Sequence, residues 1–156
     1  MTEEAARHEI SRLKRENEHL RSLYNNLVEV DRELMNTIRE QIASDSMRQA
    51  RTIMKVERAL GIKLHDWIKV YIFATRGAEE MVPDGRRFGR TTARALRLAL
   101  SDGEPLTIRT PIDLEPYAGE DAISTRKLQH FWNEFLHIYR TLKDAGGIEL
   151  REIKRR

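Results

Sequence analysis

Arg86, Arg87, Arg90, Arg94 and Arg97 crowd one short stretch, with no acid between Asp84 and Asp102. Arginine presents a planar fork of donors that suits phosphate oxygens. On a helix, Arg87, Arg90, Arg94 and Arg97 fall within an arc of roughly 80°. Four guanidinium groups on one flank repel one another, and an array of phosphates would relieve that repulsion while releasing counterions. Arg86, Arg87 and Arg90 also fall near the start of the same helix, where free backbone N–H groups favour anions. The competing reading is a solvated flank whose carboxylates come from elsewhere in the fold, with Glu79 and Glu80 the nearest candidates.

Other clusters offer less chemistry. His130, Glu134 and His137 follow spacings of four and three along one side of a helix, a pattern that can ligate a metal. They point away from the apolar stripe of Leu128, Phe131, Trp132, Phe135, Ile138 and Leu142, so no metal site is expected. Those aromatics share their stripe with aliphatic residues, which marks core rather than a base-stacking platform. Asp113, Glu115, Glu120 and Asp121 form an acidic loop of the ordinary solvated kind. GxSxG, HExxH, GxxxxGK(S/T) and GxGxxG are all absent. The chain has no cysteine, which removes disulfides and thiolate sites. The expectation is a protein with no catalytic residue, no cofactor and no metal.

The elements that position these residues are mostly helical. The 156 residues amount to about one ordinary domain. Charged residues make up 34 % of them against roughly 25 % in typical domains, and the net charge is +3. Of the basic residues 21 are Arg and 7 are Lys. No apolar run approaches the roughly 20 residues of a membrane helix, and the amino end lacks the pattern of a secretory signal. From Glu3 to Leu60 there is neither proline nor glycine, which predicts one long helical arm over residues 1–60. Ala43-Ser44-Asp45-Ser46 predicts a break or bend in it, with Ser44 or Asp45 capping a second piece through Leu60. Leu13, Leu20, Leu27 and Leu34 recur every seven residues, with Ile10, Asn17, Tyr24, Asp31 and Ile38 at the other seam position. Asn17 is the kind of polar seam residue that fixes register, so Leu13, Asn17, Leu20, Leu27 and Leu34 are the candidate dimerisation residues. A helix packed on its own domain gives the same spacing, and both readings stand at this stage.

Residues 61–156 predict a compact helical domain. Gly61 fits the residue that ends a helix, and Val82-Pro83-Asp84-Gly85 has turn chemistry. Leu64 to Thr75 reads as a buried helix or a buried strand, with helix favoured because Lys63, Lys69 and Arg76 break the apolar run. Thr91 or Thr92 should cap a helix running to Leu100. A short extended piece spans 104–110, and a loop or one-turn helix spans 111–119. The last long helix runs from about Ser124 to Ala145, and Ile148 to Ile153 alternates like a strand. The fold class is mainly α, with at most a small β element near the carboxy end.

The run Glu104-Pro105-Leu106-Thr107-Ile108, a turn, then a helix closing on Tyr139-Arg140-Thr141-Leu142-Lys143-Asp144-Ala145-Gly146-Gly147-Ile148-Glu149-Leu150 resembles the close of a winged helix-turn-helix. The likeness covers about residues 91–154, with a longer last helix and no return strand after Ile153. It implies that Arg126, Lys127, Arg151, Lys154, Arg155 and Arg156 face nucleic acid. Phe88-Gly89-Arg90-Thr91-Thr92-Ala93-Arg94-Ala95-Leu96, with the long amino-terminal helix, is similar to helical capsid proteins of filamentous archaeal viruses. That likeness implies dimers wrapping duplex DNA in a virion.

Together these features predict a non-enzymatic, self-associating protein that binds double-stranded DNA through arginine–phosphate contacts. It would act as an architectural or winged-helix-like regulator, cytoplasmic and nucleoid-associated. The alternatives are a coat protein that packages DNA in a helical filament, and a coiled-coil adaptor with no nucleic-acid role. RNA fits the same charges as DNA, and no membrane partner is expected.

Overall fold

The computed structural model describes residues 2–84 and 89–154. Among them the helices are α1 (Glu3–Leu60), α2 (Asp66–Phe73), α3 (Arg90–Leu100) and α4 (Thr125–Ala145), with two short strands, β1 (Leu106–Thr107) and β2 (Ile153–Lys154). Single 3-10 segments cover Glu79–Met81, Pro111–Tyr117 and Gly119–Ile123. The class is mainly α with a small β pair near the carboxy end, as the sequence predicts.

α1 carries Glu3 and Glu4 in its first turn and Arg58 in its last, which complements the helix dipole at both ends. No break interrupts α1 at Ala43-Ser44-Asp45-Ser46. Serine and aspartate only compete for backbone hydrogen bonds, whereas a proline would remove one. Here Gln41 Nε2 instead donates to Asp45 Oδ1 across one helical turn at 3.1 Å. Gly61 follows the helix at φ +67°, a conformation that glycine adopts without cost.

The chain divides into two compact units, Met1–Met47 and Arg48–Arg156, rather than at residue 60. The last turns of α1 belong to the second unit because Val56 is fully buried in its core, with Ile53, Ala59 and Leu60 packed against it. The first unit is helix alone, and every side chain from residue 7 to 44 is exposed.

In the second unit α3 runs through the core. Ala93, Ala95, Leu96 and Ala99 are all inaccessible to solvent. Small residues on several sides of one helix let neighbours approach closely, and α2 and α4 both pack on α3. α2 contributes Ile68, Tyr71 and Ile72, while α4 contributes Phe131, Phe135, Ile138 and Leu142. Phe131 and Phe135 are therefore core, as their stripe predicts. Ser124 caps α4 by accepting a hydrogen bond from Lys127 N–H at 3.2 Å. α3 starts differently from expectation: Gly89, at φ +73°, holds the cap position, and Thr91 and Thr92 lie inside the first turn. Their hydroxyls bond to Asp121 and Glu134 instead.

β1 and β2 pair in parallel, with Leu106 opposite Ile153. Most of the alternating run 148–153 is not strand, because β1 offers only two residues to pair with. Arg151 N–H donates instead to the Ala99 carbonyl at the end of α3, at 2.8 Å. Tyr139 Oη donates to the Arg151 carbonyl at 2.7 Å. Thus α3, α4 and the chain end are tied together beside the arginines.

Phe135 is fully buried and its ring lies 5.8 Å from that of Tyr139. Phe135→Ala should lower the unfolding free energy by about 3–5 kcal/mol, the usual range for an emptied aromatic core position. Urea titration followed by circular dichroism checks this.

Candidate functional site

The arginine stripe is not a free cationic flank. Arg94 is only 5 % exposed. Its Nη2 donates to Glu79 Oε2 at 3.0 Å, and Tyr71 Oη donates to the other carboxylate oxygen at 2.9 Å. Arg97 donates through Nη1 to the Tyr71 carbonyl at the end of α2, and its guanidinium lies 5.1 Å from the centre of the Tyr71 ring. Arg90 is paired with Glu120. Arg90, Arg94 and Arg97, read from the sequence as one open phosphate-facing stripe, are thus each engaged within the fold, because α3 is covered on several sides and neighbouring segments bring their own acceptors. Glu79, weighed from the sequence as a partner, fills that role. Arg86 and Arg87, like Gly85 and Phe88, lie outside the described residues.

Both acids that follow Gly119 brace the start of α3. Glu120 takes Arg90, and Asp121 accepts from Thr91 Oγ1 at 2.9 Å. Gly119 itself has φ +56°, and a Cβ there would stand 2.5 Å from Arg94 Cζ and Nε. The missing side chain is what lets the guanidinium lie flat against this turn. Asp113 closes a capping box with Thr110, and two backbone N–H donors, from Thr110 and Arg109, hold its carboxyl below the ordinary value. The acidic loop is thus largely structural.

Protonation at the centre follows from this geometry. Burial pushes the Glu79 carboxyl up, but hydrogen bonds from Arg94 and Tyr71 and the charges of Arg94 and Arg97 outweigh it, so the group ionises below its usual range. Burial and the adjacent Glu79 carboxylate push the Tyr71 phenol up to about 12. Burial disfavours the charged Arg94, yet its bond to Glu79 holds the proton more firmly still. At neutral pH the centre is therefore an arginine–carboxylate–phenol chain with no group poised to exchange a proton.

These groups open onto a cleft of about 370 Å³ whose charged lining is Glu79, Arg94, Arg97 and Arg151. Leu98, Pro116 and Tyr117 supply an apolar wall. Arg151, expected on a nucleic-acid face, turns inward: its Nε donates to the Glu104 carbonyl at 3.0 Å and its Nη1 to Ser101 Oγ at 3.2 Å. The sequence reading missed this cleft. The one signal was Gly119 before two acids, a turn able to approach a helix closely. A second cleft of about 450 Å³ runs beside Ile112 and Ile123, with Glu115 its one ionisable lining group among the described residues.

The remaining candidates lie apart from the stripe. Arg126 and Lys127 are exposed in the first turn of α4, and Lys154 is exposed in β2. Arg155 and Arg156 lie outside the described residues. His130 and His137 are exposed, Glu134 accepts a bond from Thr92 at 3.2 Å, and among the described residues no metal-binding group of three ligands converges. In the first unit Leu13, Leu20, Leu27 and Leu34 are 51–68 % exposed, and Asn17 is exposed with them. Among the described residues no helix is long and apolar enough to cross a membrane.

Comparison with family models, curated proteins and solved structures finds no match to this chain.

Glu79 ionises more readily folded than unfolded, so its contribution to stability is present above the unfolded carboxyl value, about 4.3. It fades as pH falls through the lower folded value. Glu79→Gln should therefore lower the melting temperature at pH 7, and the gap to wild type should shrink between about pH 5 and pH 3. Thermal melts across that range read the difference, and a gap that widens on acidification contradicts the pairing.

Proposed function

We propose that this chain is a non-enzymatic, self-associating protein whose amino-terminal helix pairs with that of a second copy. The observation carrying this reading is the apolar seam of α1 left open to solvent: Ile10, Leu13, Leu20, Leu27, Leu34 and Ile38 are each more than 40 % exposed. A lone helix draws little stability from its own turns, since most helical stability in proteins comes from packing an apolar face. Exposed pairs such as Arg7 with Glu3, Arg12 with Glu9 and Arg32 with Glu29 add about 0.3–0.5 kcal/mol each, too little to hold 45 residues. Leucine every seventh residue fits a parallel partner of the same sequence, and Asn17 facing its counterpart would set the register.

Each seam leucine buried in such a pair is worth about 1.5–3 kcal/mol. The double change Leu20→Lys/Leu27→Lys should weaken association by more than about a hundredfold while leaving residues 48–156 folded. Sedimentation equilibrium of the full chain measures it. A monomeric wild type at high micromolar concentration, or an unaffected variant, sinks the proposal. Asn17→Leu should change the number of subunits rather than abolish assembly.

A second function, binding of duplex DNA as a regulator or as a coat, is supported by the uneven spread of charge. Residues 1–47 hold 10 acids and 7 bases, and residues 48–156 hold 15 acids and 21 bases. Arg126, Lys127 and Lys154 are exposed and bridge no carboxylate among the described residues, so duplex contact is assigned to them and not to the α3 stripe. Arg126→Gln/Lys127→Gln should flatten the slope of log affinity against log salt by about 1.8, since each phosphate contact contributes about 0.9. Fluorescence anisotropy with a labelled duplex gives the slope. Filaments seen by electron microscopy only when duplex is added would select the coat over the regulator.

A further inference from the structure

We propose that the cleft between α2, the carboxy end of α3 and the Pro116–Gly119 turn is a binding site for a small phosphate monoester. Among its described lining residues, cations outnumber carboxylates. Three guanidinium groups line it, from Arg94, Arg97 and Arg151, against the single carboxylate of Glu79. Both oxygens of that carboxylate are already engaged, one by Arg94 and one by Tyr71. Arg97 and Arg151 have only neutral acceptors: the Tyr71, Ile72 and Glu104 carbonyls and the Ser101 hydroxyl. Two guanidinium groups of the lining thus bond no carboxylate among the described residues, in a recess where burial of both side chains reduces screening by water.

The donors are also incompletely used. A guanidinium has five N–H groups. Arg97 donates through Nη1 alone, and Arg94 through Nη2 alone, with its buried Nε lacking any partner among the described residues. Arg97 and Arg151 are half-buried, deep enough to be weakly screened and open enough for a ligand to reach.

The class of ligand follows from charge, size and wall. A monoester carries between −1.5 and −2 at neutral pH, close to the excess in the cleft, and its oxygens match guanidinium forks in pairs. About 370 Å³ is at the small end of ligand cavities. Leu98, Pro116 and Tyr117 form an apolar side on which a flat organic body can rest. This site is separate from the α1 seam and from Arg126 and Lys127, so it stands whether or not the chain pairs or binds duplex.

Isothermal titration of the full chain, at constant ionic strength, with phenyl phosphate, phenyl sulfate and inorganic phosphate tests the proposal. Phenyl phosphate should bind at one site per chain, about tenfold or more tighter than the monoanionic sulfate, because the second charge is what the cleft lacks. It should also exceed inorganic phosphate, and Tyr117→Ala should erase that advantage without altering phosphate itself. Arg151→Gln keeps one donor for the Glu104 carbonyl and should cost phenyl phosphate about tenfold in affinity, with circular dichroism unchanged. If that variant fails to fold, the three wild-type titrations decide alone. Absence of saturation at millimolar ligand, equal affinity for sulfate and phosphate esters, or full affinity in a folded Arg151→Gln variant each overturns the site. Inorganic phosphate binding as tightly as the phenyl ester overturns the organic body and leaves only a free-phosphate site.

Discussion

A guanidinium taken out of water costs several kcal/mol unless its charge and donors are met, and Arg94 is nearly sealed from solvent. Much of the second unit is arranged around that requirement. The 3-10 segment at Glu79 brings the counter-charge, and Tyr71 holds the carboxylate from its other side. Gly119 clears the space against which the planar group lies. α2, α3 and the Gly119 turn are thus joined through one ion, and the Arg97–Tyr71 contact ties α2 to α3 a second time. A hydrophobic residue at 94 would pack without such demands, so the arginine is a costly choice on stability grounds alone. The anion site proposed for the adjoining cleft would give that choice a use.

The two units meet opposite constraints. In the second, apolar surface is spent inward: Phe131, Phe135, Leu96 and Leu114 are fully buried, and charged groups at the margin are matched by partners 15 to 30 residues away in sequence. In the first, nothing is buried, and the large apolar side chains of α1 stand in water at regular intervals. Contiguous exposed apolar surface of that kind marks interaction surface in soluble proteins. Charge follows the same division, with acids in excess over residues 1–47 and bases in excess over residues 48–156. The association and the anion recognition proposed above therefore rest on different parts of the chain and can be tested independently.

Local chemistry made most elements legible from the sequence. The absence of proline and glycine marks α1, Ser124 and Gly146 bound α4, and Gly61 ends the first helix. These are effects of neighbours within four residues. The helix break predicted at Ser44–Asp45, which does not occur, shows how weak such signals become when no backbone hydrogen bond is actually removed. The same limit explains Thr91 and Thr92, which have the right type for a cap but whose hydroxyls are claimed by Asp121 and Glu134.

By itself the sequence determined the helical class, the helical run of α1 with its leucine every seventh residue, and the aromatic core stripe of α4, because each depends on the pattern along one element. Only the tertiary structure decided which way the arginine stripe faces. The wheel places Arg90, Arg94 and Arg97 together, but whether that side meets water, a carboxylate or a carbonyl depends on Glu79, Glu120 and Tyr71, which arrive from other segments. Polar side chains carry no fixed inward or outward preference once a partner is within reach. The apolar periodicity of α4 therefore survives folding as a guide to its core face, and charge periodicity acquires its meaning only when the chain has closed around it.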